Sequence, residues 1–134
     1  MTLGGEMYFR TLVEYLSHFA GRFAVPVTAF GPPGTAWPRD RALLCRALGL
    51  PEDPKPGDRA RLTANANGNG TGPIEGVLYF ANAHTIGVRS QDALYRFLRG
   101  FAKPPIAAHH LFAEDADPAQ AERAWRSWLD QTLT

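Results

Sequence analysis

The chain has 134 residues, a single cysteine and a formal net charge of +1. That length fits one domain, able to bury roughly two thirds of its unfolded surface in one core. Near-neutral charge removes the general electrostatic case for nucleic acid or an anionic membrane surface, and no apolar run approaches the roughly 20 residues of a membrane helix. The lone Cys45 excludes an intrachain disulfide and fits a reducing cytosol. The start "MTLGGEMYFRTL" lacks the basic opening and apolar stretch of a signal peptide. A soluble, cytoplasmic protein is expected, and the sequon at Asn69 is then accidental.

In chain order, "EMYFRTLVEYLSHFAGR" (6–22) reads as an amphipathic helix. Phe9, Leu12, Val13, Leu16, Phe19 and Ala20 make one apolar stripe. Glu6/Arg10 and Glu14/His18 fall on the wet side, and Gly21 is the stop. "FAVPVTAF" (23–30) is β-rich, with Pro26 confining it to an edge or bulge. "PRDRALLCRALGL" (38–50) is a short helix opened by Pro38 and ended by Gly49 and Pro51. Its arginines 39, 41 and 46, beside Asp40 and Glu52, read as a solvated face.

"DRARLTA" (58–64) alternates like a strand. "NANGNGTGP" (65–73) carries two Asn-Gly pairs, a strong hairpin signal. It shares glycine richness with a phosphate loop but has no P-loop lysine and precedes a strand. "IEGVLYFA" (74–81), "HTIGVRS" (84–90), "ALYRFLRG" (93–100) and "PIAAHHLFA" (105–113) follow as an antiparallel meander. "DPAQAERAWRSWLDQTL" (117–133) closes the chain as a helix, with Asp117 as cap, Pro118 at the first position and Gln120 completing a capping box. Its face of Ala121, Ala124, Trp125, Trp128, Leu129 and Leu133 needs a large apolar partner, for which the sheet is the obvious choice. The order argues for an α+β fold, with residues 1–22 as a helix preceding an α+β domain over 23–134.

The adjacent histidines His109 and His110 are the first candidate site, as a base or relay. In a strand they point to opposite faces. One belongs to the set Ala107, His109, Leu111 and the other to Ala108, His110, Phe112, and both sets are similarly apolar. No Cys/His cluster accompanies them, so no metal or other cofactor is expected.

Arg89, Asp92, Tyr95 and Arg96 form the second group. Asp92 in the β-turn can hold both arginines in a structural network; alternatively, the guanidinium groups make an anion site. The third group is aromatic: Tyr79, Phe80, Tyr95, Trp125 and Trp128 either fill the core or line an apolar pocket between sheet and helix. No nucleophile–base motif such as G-x-S-x-G occurs, and Cys45 sits in a helix stripe suited to packing.

"YFRTLVEYLSHFAGR", "VTAFGPP", "GVRSQDALYRF", "HHLFAEDAD" and "AERAWRSWLD" together resemble the C-terminal region of actinobacterial START-like (SRPBCC) proteins. Such proteins are labelled relatives of the heat-shock ATPase activator or of polyketide cyclases. The resemblance covers most of the chain. It implies a shortened helix-grip fold, in which a curved antiparallel sheet wraps the C-terminal helix around a cavity. In two-part relatives a helix like 6–22 closes a preceding START-like domain. Here its stripe needs another surface, on this chain, in a homodimer or on a partner START-like domain.

Three functions follow as expectations. The first is a non-catalytic module for a small apolar ligand or a protein partner, with Tyr79, Tyr95, Arg96, Trp125 and Trp128 as ligand residues. The second is a cyclase- or hydrolase-type enzyme with His109 or His110 as general base and Tyr95 or Arg96 orienting the substrate. The third is an interaction module acting through the N-terminal helix. No nucleic acid or membrane partner is expected.

Overall fold

The computed structural model describes residues 3–33, 36–62, 74–99, 104–112 and 116–134. The Asn-Gly turn at 65–73 with its sequon, and the Glu6 side chain, lie outside the described residues. Among the described residues, three helices and six strands follow in the order α1 (Leu3–His18), β1 (Val25–Phe30), α2 (Trp37–Ala47), β2 (Arg59–Leu62), β3 (Ile74–Ala81), β4 (Thr85–Arg89), β5 (Ala93–Leu98), β6 (Ile106–Leu111) and α3 (Pro118–Leu133).

The strands form one antiparallel sheet in the order β1-β6-β5-β4-β3-β2. β2 to β6 are a meander, and β1 adds beside β6. Pro26 therefore lies in an edge strand, where its missing N–H is tolerated.

Strand alternation divides the sheet into two working faces. One carries Val27, Ala29, Ile86, Val88, Ala93, Tyr95, Phe97, Ala107 and Leu111. Here α2 and α3 pack, adding Leu44, Cys45, Leu48, Trp125, Trp128, Leu129 and Leu133 to the main core. α3 begins as its sequence dictates: the Asp117 carboxylate accepts the N–H groups of Ala119 (3.1 Å) and Gln120 (3.2 Å). α2 ends at Gly49, whose φ of +72° suits the turn that stops it. The face of α2 read as solvated is only partly so, because Asp40 is buried beside Arg39 and Arg39 reaches the Leu133 carbonyl at 3.0 Å.

The outer face holds a smaller cluster of Phe19, Tyr79, Leu94 and Phe112. A bulge in β3 between Leu78 and Phe80 turns both Tyr79 and Phe80 toward it. α1 lies over β3 and β4 on this face. It is tied down by polar atoms: Thr11 Oγ1 to Tyr79 Oη (2.9 Å) and Arg89 Nε to Glu14 Oε2 (2.8 Å). Glu14, read as a wet residue, thus meets the sheet. Phe19 of the expected stripe is buried and stacks on Phe112 at 4.2 Å, whereas Phe9, Leu12, Val13 and Leu16 are exposed. The helix docks with its back to its own sheet.

Candidate functional site

The two histidines part as strand geometry requires. His109 enters the main core and is 1% exposed; His110 points to the outer face and is half-buried. Each belongs to a separate constellation.

On the inner face His109 is boxed by aromatic rings. Trp125 lies 4.2 Å away centroid to centroid, Tyr95 5.0 Å and Phe97 5.3 Å, all steeply inclined. Trp128 completes the layer against Trp125 (5.3 Å) and Phe97 (5.6 Å). His109 Nδ1 accepts the backbone N–H of Arg96 at 3.0 Å, which leaves the ring proton on Nε2. Neither His109 Nε2 nor Trp125 Nε1 meets a hydrogen-bond acceptor among the described residues. Their near neighbours are ring faces, which accept N–H groups weakly. Burial, and then the charge of Arg96, hold the His109 pKa well below the usual 6.5, so the ring is neutral. Burial likewise pushes Tyr95 up to about 12.

On the outer face Arg96, His110 and Tyr79 share a side of the sheet. Arg96 Nε donates to the Ala108 carbonyl at 3.0 Å. No carboxylate pairs with its guanidinium among the described residues. Desolvation lowers the Arg96 pKa from its ordinary value, and burial followed by Arg96 lowers that of His110. Tyr79, pushed up to about 12 by burial, lies against Gly87 and bonds Thr11.

The proposed ligand residues therefore do not share one pocket. Tyr95, Trp125 and Trp128 come together on the α3 side. Tyr79, Phe80 and Arg96 lie across the sheet from them, because the β3 bulge and the parity of β5 send them outward. The expected Asp92 network is also corrected: Arg89 turns to Glu14 and Arg96 to Ala108, and Asp92 instead bonds Arg22 Nη2 at 2.9 Å. Arg22 also reaches the Phe112 carbonyl (3.0 Å) and lies over the Phe19 and Phe112 rings. No local pattern in the sequence marks Arg22, since its partners are about 70 and 90 positions away.

No group of three or more His, Cys, Asp or Glu among the described residues is arranged to hold a metal ion, and no described helix is long and apolar enough to cross a membrane. Neither a family model, nor a curated protein, nor a solved structure matches the chain.

Proposed function

We propose that the chain is a non-catalytic START-like module that binds a protein partner through α1, and that the partner is a second copy of itself. A six-stranded antiparallel sheet with a C-terminal helix on one face is compatible with the shortened helix-grip layout. The gap that would hold a ligand in such a fold is packed here by Tyr95, Phe97, His109, Trp125 and Trp128. A histidine sealed in that layer is poorly placed to take a proton from a substrate.

The observation that carries the reading is the outward stripe of α1. Tyr8, Phe9, Leu12, Val13 and Leu16 are 36–70% exposed along one side of a 16-residue helix. Scaled to side-chain areas of about 150–200 Å², they expose roughly 400–500 Å² of apolar surface. A standard interface takes about 800 Å² from each partner, of which about 56–65% is apolar. The stripe supplies the apolar share of such an interface. Leu12 sits midway, so a two-fold axis near it sets Tyr8 of one copy against Leu16 of the other, an isologous pairing.

Sedimentation velocity over a wide concentration range tests this. The wild-type chain should dimerise. Leu12→Glu and Leu16→Glu should each give monomers with unchanged circular dichroism, because both side chains are exposed in the monomer, and should lose the concentration-dependent part of the melting temperature that dimerisation adds. A wild-type monomer at every concentration, or a dimer indifferent to both substitutions, would overturn the proposal.

A further inference from the structure

The outer face of β5, β6 and β1 is laid out in three cross-strand rows. Leu98, Ile106 and Phe30 form one; Leu94, His110 and Pro26 form another. Between them the register sets Arg96 beside Ala108 and Thr28. The two flanking rows have larger side chains than Ala108 and Thr28, so the middle row is a trough with Arg96 at its end. On the far side of Arg96 there is no room, because the Tyr79 ring lies against Gly87: a Cβ on Gly87 would stand 2.7 Å from Tyr79 Cζ.

The Arg96 head is fixed by its Nε bond to Ala108, which leaves its two terminal nitrogens as donors. A half-buried guanidinium with no carboxylate beside it among the described residues has lost water without gaining a partner of opposite charge. Elsewhere on this face the arginines are matched, Arg89 to Glu14 and Arg22 to Asp92.

We infer that the trough binds the carboxylate of an apolar monoacid, gripped by the Arg96 fork, with its hydrocarbon body on the Leu98–Ile106–Phe30 row. One guanidinium beside a neutral histidine suits a single negative charge, and its planar fork matches a carboxylate. Phe30, 49% exposed at the end of the apolar row, gives the body a surface to cover. The inference is independent of the α1 pairing, which uses the other side of that helix.

Titration of the ¹⁵N-labelled wild-type chain with sodium decanoate, below micelle formation, tests the site. Backbone signals of Arg96, Leu98, Ile106, Ala108 and His110, and the Arg96 Nε–H, should shift saturably. Decanol, which has the tail without the charge, and inorganic phosphate, which has charge without the tail, should each bind at least about tenfold more weakly. Arg96→Gln should weaken decanoate about tenfold or more, the effect of losing a charge-assisted pair. Because the map is read on the wild-type protein, it stands even if the variant is less stable. Decanol or phosphate binding as well as decanoate, shifts confined to α1 or to the Trp125 layer, or no saturable shift would each overturn the inference.

Discussion

The backbone N–H of Arg96 donates to Nδ1 of His109 at 3.0 Å, within a stretch where regular β5–β6 pairing lapses. The register is Leu94 with His110 on one side and Phe97 with Ala107 on the other, so Arg96 stands opposite Ala108. Its N–H turns instead to the imidazole, while the Ala108 carbonyl accepts the Arg96 side chain at 3.0 Å. Two side chains thus satisfy the backbone groups that the ladder leaves open. The arrangement needs a neutral ring, since a protonated Nδ1 accepts nothing.

That requirement fixes a pH dependence. The His109 pKa is lowered in the folded state, so its contribution is present above the unfolded value near 6.5 and is lost as the pH falls. Below that value the unfolded chain binds a proton that the folded chain refuses. Stability should fall by up to about 1.4 kcal/mol per pH unit from this residue. His110, shifted the same way, adds to the slope. Urea unfolding between about pH 7.5 and 5 should show the decline, and His109→Gln should flatten it. Parallel curves for the two proteins would mean that His109 is not held neutral.

Tyr79 and Gly87 are fitted to each other across β3 and β4. A methyl at position 87 would come within 2.7 Å of Tyr79 Cζ and 2.9 Å of its hydroxyl oxygen. Gly87→Ala must push the ring off its seat and strain its bond to Thr11. Overpacking of this kind costs about 1–3 kcal/mol. Tyr79→Leu should relieve the crowding, so the double variant should be more stable than the two single costs added together imply. Strict additivity in thermal unfolding would rule out the contact as the cause.

How much of this was legible in the sequence depends on the range of the interaction. The caps of α3, the stop at Gly49, the edge placement of Pro26 and the opposite faces of His109 and His110 are local, decided by residue chemistry within a few positions. The Arg22–Asp92 and Glu14–Arg89 pairs span 70 and 75 positions, and nothing local announces them. The β3 bulge shifts the parity of one strand without a glycine or proline at the spot, so the sequence could group Tyr79 with Tyr95 although the sheet separates them. The choice of inner face in β6 was undecidable from its own residues. It is made by α3, whose Trp125 takes the His109 side.

Arg22 holds the end of α1 against the β4–β5 turn through Asp92 and the carbonyls of Gln91 and Phe112. The ion pair is exposed and contributes little by itself. The carbonyl bonds and the two ring contacts matter more, because they fasten a helix that has little apolar grip on its own sheet. Arg22→Ala should lower global stability by about 1 kcal/mol and speed amide exchange in α1 more than in β4, β5 or β6. Uniform acceleration across the chain would show instead that α1 and the sheet open as one unit.

Trp125 is where His109, Tyr95, Phe97 and Trp128 converge, and it is fully buried. Trp125→Ala should cost about 3–5 kcal/mol, the range for deleting a buried aromatic side chain. Trp125→Phe should cost much less, because its Nε1 has no acceptor among the described residues and the smaller ring abandons no hydrogen bond. Trp37 gives the contrast: its Nε1 donates to the Ala83 carbonyl at 2.7 Å. Trp37→Phe removes a comparable volume and leaves that carbonyl without its donor, which adds about 1 kcal/mol. Chemical denaturation should therefore rank Trp125→Phe above Trp37→Phe in stability. The reverse order would mean that the indole N–H of Trp125 is satisfied within the aromatic layer more strongly than a ring face allows.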